Sequence, residues 1–442
     1  MSAVPLGTDS TRDGKGRAAL LRGIAPALFT LALAGCAQFQ AYRVSTDGYK
    51  TCEYRAVGDC PTAALISHPA PMSYGMGVVE IDEQGFFADR AQAEAVVAMA
   101  SAKAERGRSY VVVFVHGWHH NAGPEDENLE KFHDALRMLS GWRPNDTVRG
   151  IYVGWRGDSL AVKGLRYLTF WDRKNTSDEV GRGSFYEFLM RLERGVKGAD
   201  PGNRLVLIGH SFGASVSFNA LAQLYMQRFI DGLYSTSDGP RFRGYGDLAV
   251  MINPAIEGMR YMPFHSALQY YGGASAPLRA DFSHEKRPAL LVLSSEGDWA
   301  TRITFPAARF FTTMLEAHNT AGIRGSGPDI GGGYSEWVMD VQTLGNFGHF
   351  HTHESLGIEQ AGAKPLLQCP RLEPGRLARI LNDSKAAPQT FPDSGIVLKH
   401  RGEPPTASPY WSANMSADIV AGHTDIAKPS LVCWIIQLVD AE

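Results

Sequence analysis

The sequence predicts an α/β fold in which helices flank a mostly parallel sheet. Short apolar strand-like segments alternate with helix-like segments along most of the 442 residues, and neither an internal repeat nor a long linker interrupts them. Hydrophobic residues make up 44% and charged residues 20% of the chain, which is typical of a folded protein with a large core. The 43 basic and 46 acidic residues nearly balance, which argues against nucleic acid as the main partner.

The sequence pattern predicts strands and helices in alternation. The early strands are predicted at residues 78–81, 110–115, 150–155, 204–208, 248–252 and 289–293, and the early helices at residues 90–104, 127–139 and 214–225. Residues 110–115 form a continuous β-branched and aromatic run, which is typical of a strand buried on both faces. Such alternation implies crossover connections between parallel strands, and the chemistry of these sheets collects at the carboxyl ends of the strands.

The first 35 residues have the pattern of a secretory signal peptide. Four basic residues between positions 12 and 22 precede an apolar run over residues 23–34, which is too short to span a bilayer. The run ends in the sequence LAGC at Cys36, which resembles the lipobox of bacterial lipoproteins. In that family the peptide is cleaved before the cysteine, and the cysteine carries the lipid. The resemblance implies a membrane anchor at Cys36, and Ala37 in place of Asp implies the outer membrane facing the periplasm.

Four further cysteines remain after Cys36. Their even number fits disulfides in an oxidising compartment, and four cysteines allow three connectivities. Cys52 and Cys60 are close in sequence, so we expect them to pair locally, which leaves Cys369 to pair with Cys433. None of the four has the Cys-x-x-Cys or Cys/His spacing of a zinc site.

A candidate nucleophile follows the strand at residues 204–208. The strand runs into the sequence GHSFGA, with Ser211 at its centre, and a predicted helix follows. A G-x-S-x-G pattern alone recurs by chance, but small residues on both sides of a serine between strand and helix permit a sharp turn. The turn lifts the hydroxyl above the sheet at a helix N-terminus. The segment resembles the nucleophile elbow of the α/β-hydrolase fold; the alternative is a glycine-rich structural turn.

The segment after residues 110–115 carries the sequence HGWHHN. In α/β hydrolases an HG-x turn at this place supplies one backbone N–H of the oxyanion hole, and the residue after the nucleophile supplies the other. By this resemblance Trp118 and Phe212 are the two donors, and His116 is a packing residue. His116, His119 and His120 could instead indicate a metal site, although no carboxylate has a matching spacing and the chain has no HExxH sequence.

A serine nucleophile needs a base, and the base needs a carboxylate that orients it. Asp298 ends the strand at residues 289–293 in a Gly-Asp tip and is the first choice for the acid, with Glu296 as the alternative. His423 lies between a predicted last strand, residues 410–420, and a predicted closing helix, residues 429–439. That place preserves the chain order Ser, acid, His. His353 and His349, in the sequence LGNFGHFHTH, are the alternatives for the base.

Residues from about 78 to 440 resemble a bacterial α/β-hydrolase family of esterase-like members. The sequences that carry the resemblance are VFVHGWHHNA (113–122), YVGWRG (152–157), GHSFGA (209–214), SEGDWAT (295–301) and AGHTDI (421–426). The resemblance implies the α/β-hydrolase fold and a serine hydrolase without a cofactor, acting on a small-molecule or lipid ester. It says little about the substrate, because the fold hosts many acyl-transfer chemistries and some proteins without catalysis.

The predicted organisation is a signal peptide over residues 1–35, an irregular arm over residues 36–75 and a hydrolase domain over residues 76–442. About 125 residues separate Asp298 from His423, so residues from about 300 to 408 are predicted to be a cap-like insertion. Its aromatic residues could line an acyl pocket: Phe305, Phe310, Phe311, Phe347 and Phe350. A peptidase or amidase with the same triad and a non-catalytic envelope lipoprotein are the rival interpretations.

Overall fold

The structure is a computed structural model that describes residues 40–56, 58–157, 170–234, 242–272, 287–318, 335–358, 368–373, 375–377, 388–401 and 409–441. The predicted signal peptide and Cys36 lie outside the described residues. Within the described residues, no helix combines the length and the apolar character needed to cross a membrane.

One sheet of twelve strands organises the described residues. The strands are β1 (Thr51–Glu53), β2 (Leu65–His68), β3 (Tyr74–Glu80), β4 (Ser109–Val115), β5 (Thr147–Gly154), β6 (Arg204–His210), β7 (Leu248–Ile252), β8 (Leu290–Ser295), β9 (His353–Ile358), β10 (Gln389–Thr390), β11 (Ile396–His400) and β12 (Tyr410–Met415). Their order along the sheet is β1-β2-β3-β5-β4-β6-β7-β8-β12-β9-β11-β10. The eight neighbours from β3 to β9 are parallel, whereas β2 pairs antiparallel with β3, and β11 pairs antiparallel with β9 and β10. The predicted α/β class with a mostly parallel sheet is confirmed.

Helices flank both faces of this sheet. In the described residues they are α1 (Arg90–Ser101), α2 (Glu127–Trp142), α3 (Phe170–Arg182), α4 (Ser184–Ala199), α5 (Phe212–Leu233), α6 (Gly258–Gly272), α7 (Phe305–Thr313), α8 (Glu336–Val341) and α9 (Pro429–Asp440). Val111 and Val113 of β4 face a core that includes residues of α1, α4 and α5. Tyr110 and Phe114 face a second core that includes residues of α2 and α9. Alternate residues of one strand thus enter two cores, which explains why its sequence is apolar from Tyr110 onwards.

Local sequence determines where α2 begins and which of its faces is buried. Asp126 is the N-cap, and its carboxylate accepts hydrogen bonds from the backbone N–H groups of Asn128 and Leu129. The predicted apolar stripe is buried: Leu129, Phe132, Leu136 and Leu139. The helix continues to Trp142, three residues beyond the predicted end.

The segment predicted to be an irregular arm contains two strands of the same sheet. β1 and β2 have three and four residues, and β2 pairs with β3. Strands this short are stabilised by pairing with a neighbour rather than by a periodic pattern of their own, so their sequence carries little signal. The arm therefore supplies the two outermost strands on one side of the sheet.

The predicted cap-like insertion also contributes to the sheet. β9, β10 and β11 come from residues predicted as insertion, and they extend the sheet beyond β12. β12 is shorter than the predicted strand at residues 410–420, because the backbone N–H groups of Ile419 and Val420 both donate to the Ser416 carbonyl and the chain turns there. The other described elements of this segment are the helices α7 and α8, a π-helical turn (Ala300–Thr304) and two short 3₁₀ helices (Leu344–Asn346 and Gly348–Phe350).

Two disulfides join the cysteines in the predicted pairs. Cys52 bonds to Cys60 with a Cα–Cα distance of 5.8 Å, and Cys369 bonds to Cys433 with 5.6 Å. The first closes a loop at the β1 edge. The second fixes a segment of the insertion to the closing helix α9.

Candidate active site

Ser211 is the single residue between β6 and α5. Its φ of 55° and ψ of −120° are a conformation that costs a residue other than glycine on the order of 1–3 kcal/mol. The Ser211 N–H donates to the Ile252 carbonyl at 3.0 Å, and the N–H groups of Ala214 and Ala255 both donate to the Ser211 carbonyl at 3.1 Å. Neighbouring backbone therefore holds the serine in this strained turn.

Two glycines let other backbone segments approach Ser211. A Cβ on Gly213 would lie 2.1 Å from the carbonyl oxygen of Val115 and 2.4 Å from that of His116. A Cβ on Gly117 would lie 2.8 Å from the Cβ of Ser211. These distances are shorter than any real carbon contact, so a side chain at either glycine would push the segments apart. The turn after β6 and the loop after β4 therefore meet at Ser211.

His423 connects Ser211 to Asp298. Its Nε2 lies 2.8 Å from Ser211 Oγ, and its Nδ1 lies 2.9 Å from Asp298 Oδ2. Ser211 is 3% exposed, the Asp298 side chain is fully buried and the His423 side chain is 26% exposed. The three residues follow β6, β8 and β12, whose parallel carboxyl ends share one edge of the sheet. The structure thus brings the predicted nucleophile, base and acid into one hydrogen-bonded chain.

Asp298 is held in its ionised form despite its burial. Burial raises its pKa, but hydrogen bonds from His423 and Thr301 and the charge of His423 outweigh that effect and hold the pKa below its ordinary value. Oδ1 accepts from the backbone N–H groups of Ala300 (2.8 Å) and Thr301 (3.3 Å), and Oδ2 accepts from the Thr301 hydroxyl (2.5 Å). Because an ionised carboxylate only accepts, Nδ1 of His423 carries the proton and Nε2 faces the Ser211 hydroxyl as an acceptor.

Two residues that the sequence did not identify hold the backbone of His423. His210 Nε2 donates to the His423 carbonyl at 2.7 Å, and Asn253 Nδ2 donates to the same oxygen at 3.1 Å. Asn253 Oδ1 accepts from the Ser295 N–H at 2.8 Å. Burial lowers the pKa of His210 well below its ordinary value, so this imidazole is neutral. The only signal for either residue in the sequence is a place at the end of a predicted strand.

Trp118 and Phe212 lie beside Ser211. Phe212 is the first residue of α5, so its N–H has no acceptor within the helix, and a helix N-terminus favours negative charge. Trp118 follows Gly117, whose backbone approaches Ser211, and its ring centroid lies 5.9 Å from that of Phe212. The positions are compatible with the predicted oxyanion donors, and that role stays a prediction.

Two histidines of the loop after β4, His116 and His120, form hydrogen bonds with neighbouring residues of the fold. His116 Nε2 accepts from the Trp155 N–H at 3.1 Å, so Nδ1 donates to the Gly117 carbonyl at 3.0 Å. Burial lowers the pKa of His116 to about 4, and the ring is a neutral packing residue. His120 Nδ1 lies 3.1 Å from the carboxylate of Asp126. Among the described residues one group of three potential metal ligands comes together, and it contains none of these histidines.

The alternative base and acid residues lie in other surroundings. His353 is buried in β9, its Nδ1 lies 2.8 Å from the Thr352 hydroxyl and its ring packs 4.6 Å from that of Trp411. Burial lowers the pKa of His353 to about 3. His349 packs against His265, with ring centroids 5.7 Å apart. Glu296 is exposed and accepts a hydrogen bond from Asn414 at 3.0 Å. His423 and Asp298 are the pair that reaches Ser211.

An aromatic wall adjoins the serine. It consists of the rings of Trp118, Phe170, Phe212 and Phe305, with neighbouring centroids 5.4 to 5.9 Å apart. Of the predicted aromatic residues of the insertion, Phe305 lies in this wall, Phe347 and Phe350 are buried against each other, and Phe310 and Phe311 are exposed. Phe170 was not predicted, since it begins α3 in a segment with no strong pattern.

Comparisons of the chain with known protein families, with curated proteins and with solved structures find no match. No relative therefore supplies a role for any residue of this site. The chemistry has to follow from the arrangement of Ser211, His423 and Asp298 at the sheet edge.

Proposed function

We propose that the protein has the α/β-hydrolase fold and is a serine hydrolase that cleaves carboxylic esters. The observation that carries the proposal is the hydrogen-bonded chain from Ser211 through His423 to the buried, ionised Asp298. A nucleophilic serine needs this arrangement, because its hydroxyl is a weak nucleophile until a neighbouring base accepts the proton. The strand–serine–helix turn and the chain order Ser, Asp, His support the α/β-hydrolase fold.

In this mechanism Ser211 Oγ attacks the ester carbonyl while His423 Nε2 accepts the hydroxyl proton. The protonated His423 then donates this proton to the leaving alcohol, which separates and leaves an acyl ester on Ser211. Water, activated by the same imidazole, releases the acid and restores the serine. Asp298 keeps Nδ1 protonated throughout and stabilises the imidazolium. The reaction as written needs no cofactor.

The backbone N–H groups of Trp118 and Phe212 stabilise the oxyanion in this proposal. Phe212 contributes the positive end of α5 in addition to its N–H. The aromatic wall supports an apolar acyl group through Trp118, its partly exposed ring, whereas Phe170, Phe212 and Phe305 are buried behind it in the core.

We also infer that the protein is anchored in the bacterial cell envelope through lipidated Cys36. The basic residues, the short apolar run and the LAGC sequence support this inference. The two disulfides are consistent with an oxidising compartment such as the periplasm.

The first experiment compares the wild-type protein with Ser211→Ala on nitrophenyl esters from acetate to palmitate. The variant should lose covalent labelling by a fluorophosphonate and at least about 10³-fold in kcat, because the nucleophile alone is removed. Its melting temperature should match that of the wild type. Labelling or hydrolysis at the wild-type level in Ser211→Ala would refute the proposal.

Two further comparisons separate the rival interpretations. A wild-type protein that neither reacts with fluorophosphonate nor cleaves any ester would be a non-catalytic lipoprotein, and turnover of amide reporters, which an esterase leaves nearly untouched, would indicate a peptidase or amidase. His423→Ala combined with Ser211→Ala should be little worse than either single variant, because residues that act as one unit are not additive. His353→Ala is the matched histidine control.

A further inference from the structure

Six large apolar side chains are exposed on the segment that directly follows Asp298. They are Trp299, Ile303, Phe310, Phe311, Met314 and Leu315, and we call them the apolar strip. Phe310 and Phe311 lie in α7, and Met314 and Leu315 follow them at intervals of three and four residues in the turn after Thr313, the last residue of the helix. No Asp or Glu lies between positions 299 and 315, whereas Arg302 is exposed there.

The opposite side of the same segment is packed. Thr301, Phe305 and Thr313 each expose only 1% of their surface. Arg309 of α7 donates to the Asp340 carboxylate of α8 at 2.7 Å. The exposed apolar side chains therefore lie on a helical segment with one buried and one open face and on the hydrogen-bonded turn that directly follows it.

The strip and the N-terminal arm lie at the same edge of the sheet. The backbone N–H groups of Tyr42 and Arg43 donate to the Glu80 carboxylate at 2.8 and 2.7 Å, and Glu80 is the last residue of β3. The strip begins just beyond the carboxyl end of β8. Five strand spacings separate β3 from β8, or about 24 Å. Ser211, at the end of β6, lies between them.

The expected anchor is close to this edge. Cys36 lies four positions before Gln40, where the described chain begins, so four residues, or at most about 14 Å of backbone, separate the attachment point of the lipid from Gln40. A surface that holds the anchor and covers the strip also lies across the part of the sheet edge between them, where β6 ends at Ser211. Trp, Phe and Leu side chains next to a basic residue are typical of protein surfaces that enter the interface of an anionic bilayer.

We propose that the sheet edge carrying Ser211 faces a lipid bilayer and that the apolar strip enters the bilayer surface. The substrate is then an ester of a membrane lipid, drawn from the bilayer into the site. The choice of substrate rests on the proposed hydrolase function and on the anchor at Cys36; the orientation itself requires no catalysis. The two parts can be tested separately.

The orientation is tested on the full chain with its anchor, in vesicles of phosphatidylethanolamine and phosphatidylglycerol that carry doxyl groups on some acyl chains. Phe311→Cys and Tyr234→Cys each receive a fluorescent nitrobenzoxadiazole label; the two native side chains are 71% and 69% exposed. Tyr234 follows the C-terminal end of α5, at the opposite edge of the sheet. The four cysteines among the described residues are in disulfides, and the unsubstituted protein controls for labelling of Cys36.

If the strip enters the bilayer by about 5–10 Å, the doxyl groups should quench roughly half of the fluorescence of the label at position 311 and little of that at position 234. Equal quenching at both positions, or quenching at neither, would overturn the orientation whether or not the protein hydrolyses esters. This outcome is independent of Ser211, so a failure of the proposed function does not affect it.

The substrate class is tested with the double variant Phe311→Ser, Leu315→Ser, because Leu315 is 98% exposed. It should lose roughly tenfold or more in hydrolysis of a long-chain ester embedded in vesicles and keep its rate on soluble nitrophenyl butyrate. Tyr234→Ser should change neither rate. Equal losses on both substrates, or no loss on either, would contradict a lipid substrate drawn from the bilayer.

Discussion

Asp298→Asn tests the proposed mechanism at its buried end. The asparagine amide has nearly the same shape as the carboxylate but carries hydrogen-bond donors on one of its two ends. Oδ1 of Asp298 accepts from the backbone N–H groups of Ala300 and Thr301, so the amide oxygen has to stay at this position. The NH₂ group then replaces Oδ2 and faces His423 Nδ1.

A donor at this position forces His423 into the other tautomer. Nδ1 becomes the acceptor, the proton moves to Nε2, and Nε2 no longer accepts the proton of the Ser211 hydroxyl at 2.8 Å. Rotating the amide by 180° would place its NH₂ group against two backbone donors, which cannot turn away. We therefore expect kcat on nitrophenyl butyrate to fall by about 10³- to 10⁴-fold, or about 4–5.5 kcal/mol of transition-state stabilisation.

Thr301→Val is the matched control. It removes the hydroxyl that donates to Asp298 Oδ2 and keeps the carboxylate and its other three donors, so we expect a loss of about tenfold or less. Both variants are compared with the wild type by steady-state kinetics and by thermal unfolding. If Asp298→Asn keeps more than about a tenth of the wild-type kcat while it folds normally, Asp298 does not fix the tautomer of His423 and the reasoning is wrong.

Three further predictions concern stability. Ser211→Gly should have a free energy of unfolding about 1 kcal/mol higher than that of Ser211→Ala in urea titrations, because glycine relieves the positive φ of the turn. An equal or lower value would mean that the turn is not strained. His353 has a folded-state pKa of about 3, below its unfolded value, so the stability it contributes is fully present above about pH 6.5 and is lost as the pH falls, by about 1.4 kcal/mol per unit. Measured by thermal unfolding, the His353→Gln variant should accordingly lose less stability than the wild type between pH 7 and 5. Parallel curves of stability against pH for the two proteins would contradict this. The disulfides close loops with sequence separations of 8 and 64 residues, which corresponds to about 2.5 and about 4.3 kcal/mol. Cys369→Ser, Cys433→Ser should therefore lower the free energy of unfolding more than Cys52→Ser, Cys60→Ser, and the reverse order in urea titrations would exclude the loop-length explanation.

The central strands could be predicted because their own residues determine them. β7 occupies the predicted residues 248–252, and β4 differs from the prediction by one residue. Both are buried on both faces, so every position except Ser109 is apolar and the signal is strong. β9, with the sequence HESLGI, mixes polar and apolar residues and is stabilised by β11 and β12, which are distant in sequence. No local pattern contains that information.

The site was predictable to a similar degree and for a similar reason. Ser211 lies in a turn that constrains the residues on both sides of it, so the sequence marks the turn. The choice between His423 and His353 depended on topology, because both follow small or polar residues and no local pattern marks either of them as a base. Asn253 acts only through its contact with the backbone of His423, and Phe170 only through ring packing beside Phe212. Contacts of these kinds depend on the completed fold.

The extra edge strands also bear on how His423 is held. β12 pairs with β8 on one side and with β9 on the other, so the strand that leads to His423 is not an edge of the sheet. An edge strand lacks partners on one side and tolerates shifts in register, whereas a paired strand has its end fixed by both neighbours. The Ser295 hydroxyl continues this restraint beyond the strand by donating to the Val420 carbonyl at 2.6 Å. The strands contributed by the predicted insertion thus restrain the strand before His423, and the hydrogen bonds from His210 and Asn253 restrain His423 itself.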